Sequence, residues 1–119
     1  DHKPEDEESK RLTFAQAATG ASGIETLLSL SLELYHNESL KLETIIRALT
    51  SNPAKILKIN KGNLTIGNDA DLCIVDIDKP WIVNKDKLIS KSKNTSIEDK
   101  KLQGKVTNTF VKGKELFKL

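Results

Sequence analysis

The sequence predicts an α+β fold in which helices come first and strands second. Three observations carry this reading. Apolar residues between Ile24 and Tyr35 recur at helical spacing, and a second such pattern runs from Leu42 to Leu49. From Lys61 onward the pattern changes to glycine turns and short apolar runs, which suit strands joined by tight connections. With 119 residues the chain is one domain or part of one.

Taken in order, residues 1–11, DHKPEDEESKR, are polar and include Pro4, so a loop is expected. Thr13–Gly23 is rich in small residues. Ala15–Ala18 suits a short helical turn, while Gly20 and Gly23 suit a loop whose backbone is approached closely. In the first helix, Ile24–Tyr35, the side chains of Ile24, Leu27, Leu28, Leu32 and Tyr35 share a face. Leu30 and Leu34 widen that stripe, so more than one packing neighbour is expected. His36–Ser39 is a polar break. Leu42, Ile45, Ile46 and Leu49 form the apolar face of the second helix. Asn52 is expected to cap a short third helix, Pro53–Leu57, with Pro53 at its first position.

The stretch Lys61–Asp76, KGNLTIGNDADLCIVD, reads as turn, half-buried strand, turn, buried strand. Leu64 and Ile66 flank polar Thr65, and Gly67-Asn68-Asp69 is turn chemistry. Leu72–Val75 is an apolar run expected to be buried on both faces, with Cys73 an unreactive core residue. Trp81–Val83 reads as a further strand with Pro80 at its start. Ser90–Lys101 reads as a loop and Lys105–Val111 as a strand. Gly113-Lys114 is expected to turn the chain into a last strand at Leu116–Leu119.

Composition excludes several function classes. The formal net charge is only +2, and Lys outnumbers Arg seventeen to two, so neither a nucleic-acid-binding field nor an arginine fork for phosphate is expected. Cys73 is the single cysteine, which rules out an internal disulfide. No apolar run is long enough to cross a membrane and no signal-peptide pattern is visible, so a cytoplasmic protein is expected. Methionine is absent, and the chain is therefore expected to be a piece of something longer. His2 and His36 are far apart, with no H-x-H, C-x-x-C or H-E-x-x-H spacing. The run Asp6-Glu7-Glu8 has carboxylates but no fixed geometry for a cation.

Seven segments nevertheless carry a resemblance. They are D-H-x-P at residue 1, E-x-x-K-x-x-x-F-x-x-A from Glu7, G-x-x-G-x-E-T-L-L from Gly20, T-S-N-P-A-K-I-L from Thr50, G-x-L-x-I-G-x-x-A-D-L from Gly62, S-K-x-K-N-T from Ser90 and G-K-V-x-x-T-F-V-K-G-K from Gly104. In this order and spacing the chain resembles the dihydroorotases of the amidohydrolase superfamily. The resemblance implies the C-terminal end of a metal-dependent (β/α)8 barrel, with its helices at about 12–58, followed by the C-terminal strands of a β-sandwich at about 62–119. The corresponding domain division is 1–60 and 61–119.

The family reaction is the reversible cyclisation of N-carbamoyl-L-aspartate to dihydroorotate in pyrimidine biosynthesis, with zinc as cofactor. By resemblance, Asp1 is the catalytic carboxylate that also contacts the metal, because one group can serve as oxygen ligand and proton acceptor. Thr19 and Gly20 match the loop pair that touches the substrate's polar atoms through the backbone, while His2 adjoins the catalytic carboxylate without being a ligand. Glu5 stands where the family commonly has a histidine for the substrate carboxylate, and a carboxylate there repels that anion. Ser96-Ile97 departs from the family's usual Pro-Phe.

The other metal ligands of the family have no match in this chain. The chain alone is therefore expected to be inactive and zinc-free, with the remainder of the barrel as its partner. A homodimer or a transcarbamoylase is the further protein partner the resemblance implies. Two alternatives stand beside this reading: an inactive dihydroorotase-like subunit that supports a transcarbamoylase, and another cyclic-amide hydrolase such as a hydantoinase. S-K-x-K-N-T argues against the hydantoinase.

Overall fold

In the computed structural model, which describes residues 2–119, helices precede strands. The elements are α1 (Glu7–Lys10), α2 (Leu27–His36), α3 (Leu42–Leu49), α4 (Ser51–Leu57), β1 (Leu72–Ile82), a 3₁₀ turn at Lys85–Lys87, β2 (Lys101–Val111) and β3 (Lys114–Lys118). The strands form a three-stranded sheet in the order β1-β2-β3, so β1 and β3 are its edges. Two compact units divide the chain. One comprises Asp1–Leu27 and Trp81–Leu102, the other Leu28–Pro80 and Gln103–Leu119.

In the second unit, Leu32 is the fully buried residue of α2, and Ile45 of α3 and Ala54 of α4 are buried as well. The close approach of α2 to β2 requires a glycine. Gly104 has φ +96°, and a Cβ there would lie 2.3 Å from Leu32 Cδ1. Beside it, Ser29 Oγ donates to the Gly104 carbonyl at 2.6 Å, which satisfies a buried hydroxyl. At the other end of α2, His36 Nε2 lies 3.0 Å from the Ile77 carbonyl. β2 and β3 pair antiparallel, with one extra residue accommodated opposite Thr109–Phe110. Lys112 (φ +48°) and Gly113 (φ +76°) make the two-residue turn between them, the backbone twist that tight hairpins favour.

In the first unit, Val83, Leu88 and Leu102 are the buried apolar residues, with Ser22 and Thr26 buried among the polar ones. Val83 is tied by its N–H to the Lys100 carbonyl at 3.0 Å, and its own carbonyl accepts from Asp99 N–H at 2.9 Å.

Several expectations are corrected. Residues 7–10 are a helical turn, not a loop, because Asp6 caps it by accepting from Ser9 N–H at 2.7 Å. The first long helix starts at Leu27, and Ile24–Thr26 form a preceding turn with Ile24 exposed. Asn52 does not cap α4. The helix begins at Ser51, with Pro53 in its first turn, where a missing N–H costs nothing.

Leu64–Ile66 is not a strand. Leu64 and Ile66 are exposed, and Asn63 Oδ1 instead accepts from Thr65 N–H at 3.1 Å, a local turn that competes with extended pairing. Leu72–Val75 is a strand but is not covered. As an edge of the sheet it leaves Leu72, Cys73 and Ile74 exposed. Trp81-Ile82 continues β1, and Pro80 sits within that strand, tolerated because an edge has an unpaired side.

Candidate functional site

Segments as far apart in sequence as Glu5 and Ser92 meet in the first unit, where the Ser92 hydroxyl donates to the Glu5 carbonyl. Lys3 N–H donates to the Ala21 carbonyl at 3.0 Å, and Ser22 N–H donates to the Asn94 carbonyl at 2.7 Å. Asn94 Nδ2 and Lys10 Nζ both donate to the Gly20 carbonyl, at 3.1 and 3.0 Å, and Lys10 Nζ also reaches the Ala18 carbonyl at 2.6 Å. Ser22 Oγ donates to the Ser92 carbonyl at 3.0 Å and lies 3.2 Å from Ser90 Oγ. The Glu25 carboxylate accepts from the N–H groups of Ile89 and Ser90, each at 3.0 Å. The loop at 18–25 is thus held from both sides, by residues 3–10 and by residues 88–94. An open cleft of about 910 Å³ adjoins it, lined by Glu5, Lys10, Lys91, Lys93, Asn94 and Glu98 among others. Its lining mixes both charges, so polar ligands of either sign find a partner.

Asp1, the predicted catalytic and metal-contacting residue, lies outside the described residues. Thr19 is exposed, and its hydroxyl accepts from Lys3 Nζ at 3.4 Å. Gly20 has φ +135°, and a side chain there would meet the Lys3 carbonyl at 2.5 Å. The residue must be glycine because the chain passes so close. His2 Nδ1 accepts from the N–H groups of Gly23 (3.2 Å) and Ile24 (3.3 Å), which places its ring proton on Nε2. Its role in this structure is to hold the turn before α2. Glu5 is half-buried and pairs with Lys3 Nζ at 3.2 Å.

Among the described residues no group of three or more His, Cys, Asp or Glu side chains could hold a metal. Both histidines are engaged elsewhere, so these residues do not fit a zinc centre. The positioning residues Lys10, Ser22, Glu25 and Asn94 were not singled out from the sequence. They sit within the quoted segments, but their partners are distant in the chain.

The model of the amidohydrolase family matches residues 10–116. The chain belongs to the amidohydrolase family. It is 43% identical to the dihydroorotase of Ehrlichia chaffeensis over 118 residues, 99% of this chain and 26% of that protein. To the dihydroorotase of Aquifex aeolicus it is 39% identical over 118 residues, again 99% of this chain and 28% of the other. The chain therefore spans about a quarter of the length of the curated relatives it matches.

Among solved structures, the dihydropyrimidinase from Brevibacillus agri superposes with a TM-score of 0.90 over 98% of this chain and 27% of that one. At 18% identity that likeness speaks for the fold alone. The L-hydantoinase from Arthrobacter aurescens superposes with a TM-score of 0.80 at 32% identity, over 87% of this chain and 24% of that one.

In this amidohydrolase chain the A-D-L segment does structural work. Lys61 Nζ bridges Asp69 (2.7 Å) and Asp71 (2.5 Å), and Asp71 Oδ1 accepts from Lys112 N–H at 2.8 Å. Gly113 N–H donates to the Ala70 carbonyl at 3.0 Å. Residues 70–71 thereby pin the β2–β3 turn. The hydrogen bond from Lys61, then that from Lys112, holds the Asp71 carboxyl below its ordinary value. The hydrogen bonds to Asp69 and Asp71 push the Lys61 ammonium up.

Proposed function

We propose that this chain is the C-terminal portion of a dihydroorotase-like cyclic amidohydrolase, which interconverts N-carbamoyl-L-aspartate and dihydroorotate. The observation that carries the proposal is the joining of D-H-x-P, the Gly20–Glu25 loop and S-K-x-K-N-T by hydrogen bonds in one unit. Identities of 39–43% to dihydroorotases over nearly the whole chain support it. Residues of about 12–58 are assigned to the end of the barrel and about 62–119 to the C-terminal β-sandwich segment. Exposed Phe14, Ile56, Leu64, Ile66 and Ile89 fit surfaces that the rest of such a barrel covers.

In this reading Asp1 takes up and returns the proton that moves when the ring opens and closes, which is general acid–base work for a carboxylate. Thr19 meets the substrate's polar atoms through its backbone. Both acceptor sites of the Gly20 carbonyl are used by Lys10 and Asn94, so the Gly20 contact to substrate is assigned to its N–H. The zinc of the family supplies electrophilic chemistry when bound. The described residues build no site for it, and Asp1 is the one contributor assigned from this chain.

The test is turnover by the full-length protein carrying this segment, with zinc supplied. Dihydroorotate is the expected substrate. Asp1→Asn is expected to lower kcat by roughly 100-fold or more with little change in KM. Turnover of hydantoin but not dihydroorotate would transfer the chain to the hydantoinase reading, which the 32% identity to an L-hydantoinase makes the second choice. Turnover of neither would assign it to an inactive structural subunit.

A further inference from the structure

We infer that Lys10 and Asn94 are positioning residues: they grip the carbonyls of Ala18 and Gly20 and so aim the backbone N–H groups of residues 19–21 at the substrate. The inference rests on the dihydroorotase reading and deepens it, because it names what holds the contact rather than the contact itself. Lys10 is half-buried, and its ammonium reaches the Ala18 carbonyl at 2.6 Å and the Gly20 carbonyl at 3.0 Å. Among the described residues no carboxylate pairs with it, so its charge is directed at the backbone of this loop. Asn94, also half-buried, donates through Nδ2 to the same Gly20 carbonyl at 3.1 Å. Its own carbonyl accepts from Ser22 N–H at 2.7 Å. Two segments distant in sequence thus close on one short loop.

Peptide geometry turns that grip into an orientation. The peptides of this loop are trans, so the carbonyl of one residue and the N–H of the next point in opposite directions. Holding the Ala18 carbonyl on Lys10 therefore aims the Thr19 N–H away from the ammonium. Holding the Gly20 carbonyl on Lys10 and Asn94 does the same for the Ala21 N–H. The Thr19–Gly20 peptide, which carries the Gly20 N–H, is suspended between these two fixed planes. None of the three N–H groups has an acceptor among the described residues. The flanking N–H groups of Ala18 and Ser22, by contrast, are bonded to the Ser9 and Asn94 carbonyls. The open donors are confined to the gripped part of the loop. A cation on a carbonyl also polarises its peptide and strengthens the donor at the other end. Lys10 thereby acts on an acceptor oxygen of the substrate through two peptide groups, without touching it.

The experiment uses the full-length protein with zinc supplied. It follows kcat and KM for dihydroorotate, and amide hydrogen exchange of residues 18–22. Lys10→Met keeps the stem and removes the donors. It is expected to raise KM about fivefold or more with kcat little changed, and to speed exchange of the Ala18 and Ser22 amides. Lys10→Arg retains cationic donors and is expected to restore most of the wild-type KM. Asn94→Ala, the independent arm should Lys10→Met not fold, is expected to raise KM about threefold. The double variant should lose less than the product of the two, because both side chains grip one carbonyl. A merely structural role lowers the folded fraction, and with it kcat, while KM stays put. An unchanged KM in Lys10→Met and Asn94→Ala, or a loss confined to kcat that Lys10→Arg does not restore, overturns the inference. So does unchanged exchange at 18–22, which needs no turnover. Wild-type protein that does not turn over dihydroorotate overturns the parent reading instead, and the exchange comparison still decides whether the grip exists.

Discussion

Asp71 shows how a residue of a recognisable segment is used once the chain folds. Its side chain, 31% exposed, joins Lys61 to the backbone of the hairpin turn at Lys112. A group whose carboxyl is held low contributes stability that is present above its ordinary value and is lost as pH falls through the lower, folded value. The raised Lys61 ammonium behaves oppositely: its contribution is present below its ordinary value and is lost as pH rises through the folded one. Both are in place at neutral pH. Asp71→Asn is therefore expected to lower the thermal midpoint at pH 7 and to make no difference well below the carboxylate range. A difference that persists at acid pH would mean that the pair is not its source. The sequence offered Asp71 only as one letter of the A-D-L segment, because its partners Lys61 and Lys112 are 10 and 41 residues away. His2 was illegible for the same reason, since the N–H groups it accepts from lie 21 and 22 residues on.

At the scale of elements, periodicity was the reliable signal and local chemistry the weak one. α3 occupies Leu42–Leu49 as its spacing predicts, because an eight-residue repeat of Leu42, Ile45, Ile46 and Leu49 has one helical reading. α1 has four residues and no period, so only the Asp6 cap could have announced it. Leu64-Thr65-Ile66 alternates like a strand, but three residues alternate equally well in an exposed loop. The packing of α2 on β2 lies between these cases: the stripe was legible and its partner was not. Gly104 decides that contact. Gly104→Ala combines a positive φ with a Cβ 2.3 Å from Leu32 Cδ1, and is expected to destabilise the fold by about 1–3 kcal/mol. Leu32→Ala in the same chain should relieve the steric part and leave the backbone part, so that the two losses are not additive. Chemical denaturation of the single and double variants measures this, and simple additivity would show that the two side chains do not meet.

At the scale of the whole molecule the governing fact is exposed apolar surface. Leu72, Cys73 and Ile74 on the edge strand β1 and every residue of β3 are open to solvent, and so are Phe14, Leu64 and Ile66 elsewhere in the chain. The sequence marked Leu72–Val75 as a strand, which it is, and as buried on both faces, which it is not; burial needs a covering layer, and nothing in a strand's own residues states whether its chain supplies one. Cys73 reports on this directly. In the isolated chain its thiol is expected to react with a small alkylating reagent under native, dilute conditions nearly as fast as in denaturant, since accessibility sets the difference. The same chain is expected to bind a hydrophobic dye and to self-associate as concentration rises, because unpaired edges and apolar faces invite pairing. In the full-length protein proposed above, labelling of Cys73 should slow markedly, because the added strands would cover β1. Equal, fast labelling in both would mean that β1 remains an open edge in the longer protein and that its apolar run serves a different contact. Slow labelling in the dilute isolated chain would show that the described sheet is covered from within, contrary to the exposed edge found here.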